Sequence, residues 1–180
     1  MVHDKRDVSV TLEVAEKQDL LAFKRDLQEA FAVAVIEELG RDLEQLIPPD
    51  EDIEKSFDAP GAVIYHILSN GQRVGGVVLA IDEKTQHNSL DLFFVSRGEH
   101  SRGIGCMAWK AIEEKYPETR IWETHTPYFE KRNIHFYVNK CGFKIVEYYN
   151  DHHPGPRKPD DKNMPGGGLF RFEKAMQESP

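Results

Sequence analysis

Between Leu90 and Thr124 the order of residues leaves few topologies open. The apolar run Leu90 to Val95 reads as a strand. Ile104 to Tyr116 reads as a helix with Ile104, Ala108, Ile112 and Tyr116 on one face, Pro117 stops it, and Arg120 to Thr124 reads as the next strand. Strand, helix and strand in that order imply a right-handed parallel crossover. The joint between the first strand and the helix, Ser96 to Gly105, carries Gly103 and Gly105 where the helix must begin. A helix start presents backbone N–H groups with no partner inside the helix, and the aligned peptide dipoles place partial positive charge there. Glycine lets a ligand come close to the main chain and permits positive φ. Such a junction is an anion site, and a phosphate is its usual guest.

Other readings of these glycines separate on spacing. Gly103-x-Gly105-x-x-Ala108 fits a dinucleotide fingerprint, with Glu123 placed as a ribose-binding acid would be. That fingerprint wants its first glycine at the strand end, whereas Ser96 to Arg102 intervene here. A Walker loop is excluded because no Lys-Ser/Thr pair follows Gly103. A glycine-rich connection that holds no ligand is the plain alternative.

The remaining elements follow from periodicity. Val8 to Val14 alternates as a half-buried strand, Asp19 can cap the helix that Leu20, Phe23, Leu27, Phe31 and Ala34 trace to about Leu39, and Gly40 can end it. Residues 41–60 read as an acidic loop with a short helix near Asp50 to Phe57. Val63 to Leu68 and Arg73 to Ile81 form a hairpin through Asn70-Gly71, and Asp82 to Ser89 leads into the strand Leu90 to Val95, so three strands make an antiparallel meander. After Thr124 come a helix over about Phe129 to Lys140, a strand Lys144 to Tyr149, a long Pro/Gly-rich loop over 151–168, and a final alternating strand Leu169 to Glu173. At 180 residues the length prior gives a single domain over 1–180.

The glycine segment resembles the acetyl-coenzyme A loop of the GNAT acetyltransferase superfamily. The family pattern is Gln/Arg-x-x-Gly-x-Gly/Ala after a strand that often ends in Val. Here Val95 precedes His100-Ser101-Arg102-Gly103-Ile104-Gly105, with His100 standing where Gln or Arg is usual. The element order matches the same family over nearly the whole chain. The resemblance implies an α/β fold with a GNAT-type mixed, mostly antiparallel central sheet, a splayed parallel strand pair and flanking helices. It implies acetyl-coenzyme A as cosubstrate, its pyrophosphate on the amides of the loop from His100 through Ser101, Arg102, Gly103 and Ile104 to Gly105. Its pantetheine arm would bond the backbone of Phe94 and Val95 in the splay. The implied reaction is acetyl transfer to an amine by direct attack in a ternary complex. The alternative is an acyl-coenzyme A-binding module without turnover, since fold alone does not fix function.

For the leaving thiolate the family often uses a Tyr within a pattern like Asn-x-x-Ala-x-x-x-Tyr-x-Lys-x-Gly-Phe. In Asn133 to Phe143, Lys140, Gly142 and Phe143 align, but Tyr137 comes one residue early. A residue inserted near the helix end, as a bulge or wide turn, would bring Tyr137 into place; otherwise it points about 100° away. The resemblance places Asn133 and Lys140 with the cofactor-binding residues.

The attacking amine must be neutral, so a base helps. Glu123 faces the splay from the second parallel strand, and a carboxylate near Trp122 and Tyr128 suits proton uptake near neutral pH. Ion pairing with Arg120 is its plain structural alternative. His125 is the rival base. Asp91 reads as a polar face residue. No metal is expected: His152-His153 lies beside Pro154-Gly155-Pro156 without the three or four converging ligands a site needs. Cys106 and Cys141 suggest no disulfide framework and fit a reducing compartment.

A net charge of −8 argues against nucleic acid as a general partner and is compatible with a cationic acceptor such as an amine. No apolar run of membrane-spanning length and no signal-peptide pattern is present in the sequence, which leads to the expectation of no membrane partner and a cytoplasmic location. A homodimer is the default for oligomeric state.

Overall fold

The computed structural model of the chain describes residues 8–40, 47–96, 103–155 and 168–177. Among these residues the sheet has seven strands: β1 (Val10–Val14), β2 (Ala62–Ser69), β3 (Gln72–Ala80), β4 (His87–Val95), β5 (Ile121–Pro127), β6 (Lys144–Tyr149) and β7 (Leu169–Ala175). They lie in the order β1-β2-β3-β4-β5-β7-β6, and each neighbouring pair is antiparallel except β4–β5. The helices are α1 (Leu20–Leu39), α2 (Asp50–Asp58), α3 (Ile104–Lys115) and α4 (Lys131–His135), the last continuing into a π-helical turn, Phe136–Lys140. This is the mixed, mostly antiparallel sheet with one parallel pair and flanking helices that the sequence implies.

The hairpin between β2 and β3 turns at Asn70-Gly71, both at positive φ (49° and 82°), as the Asn-Gly signal requires. Gly40 closes α1 in the left-handed region, its N–H bonding Ile36 O at 2.8 Å. Asp19 does not cap α1 through its side chain. A 3₁₀ turn over Lys17–Asp19 leads into the helix, so Asp19 is already helical, and its carboxylate takes the Glu16 N–H at 3.2 Å and Arg73 Nη2 at 3.4 Å instead. The final strand does more than return to the sheet. β7 inserts between β5 and β6 and pairs antiparallel with both, from Ile121↔Ala175 to Pro127↔Leu169 on one side.

Apolar side chains bury both faces of the sheet centre. Phe23 and Leu27 of α1 and Ile53 of α2 cover Val78 and Phe94 on one face. On the other, Trp109 and Ile112 of α3 and Tyr137 of the π turn meet Leu79, Leu90, Trp122 and Phe172. Trp109 and Trp122 meet edge to face, ring centres 5.3 Å apart. The strand period of two then sorts β5. Trp122, Thr124 and Thr126 are buried on the α3 side, while Ile121, Glu123 and His125 are half-buried on the opposite face. Among the described residues no helix is long and apolar enough to cross a membrane.

Candidate functional site

The parallel ladder between β4 and β5 is short. It runs His87↔Ile121, Asn88↔Trp122, Ser89↔Glu123 and Leu90↔Thr124, then stops, although β4 continues to Val95 and β5 to Pro127. Two local features open the gap. The register of β4 against β3 shifts between Leu90 and Leu92, leaving Asp91 as an extra residue, and a bulge of this kind bends and twists a strand. At the last rung Thr124 Oγ1 donates to Leu90 O at 2.8 Å, so a side chain rather than another rung satisfies that carbonyl. Among the described residues β4 pairs beyond this point only with β3, up to Val95↔Gly75, and the edge that carries Phe94 and Val95 faces the gap without a ladder partner. Both side chains are buried.

Gly103 precedes α3 at φ +71°, a left-handed backbone state that glycine adopts at little cost. Gly105 has a different use. A Cβ there would lie 3.1 Å from Cε2 of Phe136, so its missing side chain lets the first turn of α3 rest on the Phe136 ring, which in turn stacks on Phe93 at 5.5 Å. Ile104 between them is fully buried. His100, Ser101 and Arg102 lie outside the described residues.

The one-residue offset of Tyr137 has a structural counterpart. The helix after β5 widens into a π turn over Phe136–Lys140, an inserted residue of the kind the sequence spacing asks for. Tyr137 is 5% exposed, with its ring among Phe136, Phe143 and Phe172. Thr124, at the rung where the β4–β5 ladder ends, is close enough to influence the phenol. Burial, with smaller contributions from Cys141 and Glu130, pushes the phenol well above its usual range, so it stays protonated. Lys140 is exposed at the end of the π turn, and Asn133 donates its side-chain amide to Glu130 Oε2.

Glu123 does not lie in the open gap as expected, because it pairs opposite Ser89 within the closed part of the ladder, and it lacks the apolar surroundings expected of it. Strand alternation puts Trp122 on the other face, Tyr128 is half exposed, and the Glu123 carboxylate accepts from Arg171 Nη1 at 3.1 Å. The expected alternative partner, Arg120, is replaced by a residue of β7, a strand whose place in the sheet the local sequence does not reveal. Arg171 also donates to Glu173 and, through Nη2 at 2.7 Å, to Glu147. Against the opposing effect of burial, these carboxylates hold the guanidinium firmly charged. His153 and Arg171 together hold the Glu147 carboxyl down to about 2. The His125 and His153 rings each stack near-parallel to Tyr149, ring centres 6.2 and 5.7 Å away. Ser89 donates to Asp91 at 2.5 Å on the neighbouring strand. Ligand atoms of His87, Glu123 and Glu173 come within 4.8 Å of one another, but Arg171 already supplies positive charge to both carboxylates.

Glu130 is the residue that sequence reasoning missed. It follows β5 just before α4, its N–H bonding Pro127 O at 3.1 Å, and it is 3% exposed. Oε2 takes the Asn133 amide; Oε1 has no partner among the described residues. Burial, reinforced by Glu38 on α1 and opposed by the Asn133 bond, pushes the carboxyl up to about 7. Nothing in Tyr128-Phe129-Glu130 marks the acid as buried, apart from the aromatic pair before it.

A sequence profile described as the acetyltransferase (GNAT) family matches residues 23–143. Uncharacterized protein YrkN of Bacillus subtilis (strain 168) is 55% identical over 180 residues, covering 97% of each chain. The ribosomal-protein-S18-alanine N-acetyltransferase of Escherichia coli has a similar fold, with a TM-score of 0.68 at 13% identity over 96% of this chain and 97% of its own. So does a GNAT family acetyltransferase from Elizabethkingia anophelis with acetyl-CoA bound, with a TM-score of 0.63 at 15% identity over 96% of this chain and 100% of its own.

Proposed function

The chain belongs to the acetyltransferase (GNAT) family, and from that premise we propose that it moves the acetyl group of acetyl-coenzyme A to an amine by direct attack in a ternary complex. The observation that carries this reading is the ladder that ends at Leu90↔Thr124 with Tyr137 at its last rung. The pantetheine arm would lie in the gap and bond the free edge of β4 at Phe94 and Val95. The pyrophosphate would rest at the loop His100 to Gly105, with Gly103 in the conformation that turns the chain into α3. Asn133 and Lys140 would line the same approach.

The chemistry then divides across the two faces of β5. The amine nitrogen attacks the thioester carbonyl carbon, the C–S bond breaks, and the amine loses a proton. Glu123 would take that proton on the open face, with Arg171 fixing the carboxylate's direction. Tyr137 would meet the departing sulfur from the buried face. Because burial strengthens its hold on the proton, it acts as a hydrogen-bond donor to the thiolate. Aligning the two reactants contributes more than either group, up to about 7–11 kcal/mol in the best intramolecular cases. Glu147, Glu173 and Glu123 around a single Arg171 leave this face acidic, which favours a cationic acceptor.

The test has two parts. Calorimetry with coenzyme A should show binding that Gly103→Val abolishes, since valine is strained at φ +71° and occupies the phosphate approach. Thiol release from acetyl-coenzyme A should then appear with a panel of primary amines. Binding without release by any amine would leave a coenzyme A-binding module, and no binding would remove the cofactor assignment.

A further inference from the structure

Asp91 shares the half-open face of the sheet with Glu123, Glu147 and Glu173 but is held differently. Those three all accept from Arg171. Asp91 Oδ1 accepts from the Ser89 hydroxyl at 2.5 Å, and among the described residues no lysine or arginine pairs with it. Ser89 is the ladder partner of Glu123, so their side chains share a face, and strand alternation together with the Ser89 bond keeps Asp91 there too.

Its place along β4 gives that carboxylate a use. Asp91 is the extra residue of the bulge against β3 and the first residue past the last β4–β5 rung, Leu90↔Thr124. A bulge beside a site re-aims a side chain. Here the Ser89 bond draws the carboxylate back over the closed end of the gap. His125 holds the matching place on β5, one residue past Thr124 and on the face of Glu123. Tyr137 packs on the opposite face, with Leu90 and Trp122. A thioester that reaches the closed end therefore has the phenol on one side and Asp91 on the other. Asp91 is half-buried, so a charge pair formed there is screened less than one on the open surface.

Resting on the acetyl-coenzyme A reading above, we propose that Asp91 is the docking carboxylate for the acceptor, and that the acceptor presents a primary ammonium to the closed end of the gap. The ammonium donates to Asp91, and Glu123, opposite Ser89 on the facing strand, is near enough to take its proton before attack. Asp91 selects the acceptor and Glu123 deprotonates it. Acceptors that are neutral before they bind, such as alcohols and aryl amines, gain nothing from this carboxylate.

The test uses two thioethers of coenzyme A and needs no identified acceptor. S-(2-aminoethyl)-coenzyme A carries an ammonium close to the sulfur, charged at about pH 7. S-propyl-coenzyme A has a methyl group in its place. Calorimetry on the wild-type protein should show the ammonium ligand binding about tenfold tighter, as expected of a hydrogen bond to a charged group. Asp91→Asn keeps the shape and the bond from Ser89 and loses the charge. It should bind S-propyl-coenzyme A as the wild type does and show no preference for the ammonium. Equal binding of the two ligands by the wild-type protein overturns the proposal, whatever the variant does. A preference that survives in Asp91→Asn overturns it as well. So does an equal loss of preference in Glu147→Gln, on β6 two strands beyond β5, because it would credit the acidity of the whole face. Failure of both ligands to bind is a different result, since it removes the cofactor reading on which the proposal rests.

Discussion

Glu123 within β5 and Glu130 just past its end show how differently the same side chain can be held. Glu123 lies on the half-open face of β5 and shares Arg171 with two other carboxylates, so its charge is answered. Glu130 lies past the strand's end in dry surroundings, with one oxygen bonded and the other bare. The first suits contact with a cationic substrate. The second suits storage of a proton. The difference comes from backbone parity and from where β5 stops, since residue type is constant between the two.

The largest effect expected from this contrast is catalytic. Glu123→Gln should lower turnover by about 10²–10⁴-fold if its carboxylate takes the amine's proton. Arg171→Lys should reproduce part of that loss, because it keeps the charge and gives up the fork that orients three carboxylates. A Glu123→Gln rate within a few-fold of the parent, measured with one confirmed amine, transfers the role to His125 or to a water chain.

Next comes the dry acid. The folded protein holds the Glu130 proton more tightly than the ordinary value of 4.5, at about 7. The stability this gives is fully present below 4.5 and is lost as pH rises through about 7. The span corresponds to at most about 3 kcal/mol. Urea unfolding across that range should show wild type falling relative to Glu130→Gln. Parallel curves for the two proteins would mean that Glu130 is not held in a dry site.

Tyr137→Phe removes a hydroxyl and leaves the ring among Phe136, Phe143 and Phe172. Turnover should fall by about ten- to a hundredfold while coenzyme A affinity stays, which matches the loss of one hydrogen bond in the transition state. An unchanged rate would return Tyr137 to a purely core role. The smallest effect is at the rung itself. Thr124→Val keeps the shape and leaves Leu90 O without its donor, costing about 1 kcal/mol in denaturant unfolding. No change in stability would show that solvent already reaches that carbonyl.

Much of the architecture was legible because apolar periodicity and punctuation agree along most of the chain. Lys144 to Tyr149 is a strand to the residue, and Gly40 and Asn70-Gly71 turn where their backbone preferences indicate. Failures share one cause, a partner distant in sequence. β4 begins at His87, within what reads as a loop, because Asn88 is fully buried with its side chain bonded to Asp82 N and Thr119 Oγ1. β5 runs on to Pro127 because β7 pairs alongside it. The place of Tyr137 was half legible: the spacing asks for one extra residue, and the π turn supplies it. Glu130 left no trace, since burial of an acid depends on what α1 and α4 bring to it.

The Thr124–Leu90 bond has a kinetic consequence. Because the ladder is already terminated by a side chain, a ligand sliding between β4 and β5 breaks no inter-strand rung on its way in. Entry is then governed by encounter and by the release of solvent, without an unzipping step beforehand, so association should saturate late, if at all, with ligand concentration. Residence time, on the reading proposed above, would in contrast be set by bonds formed along the free edge of β4. Substitutions in the gap should therefore change how long the cosubstrate stays far more than how quickly it arrives.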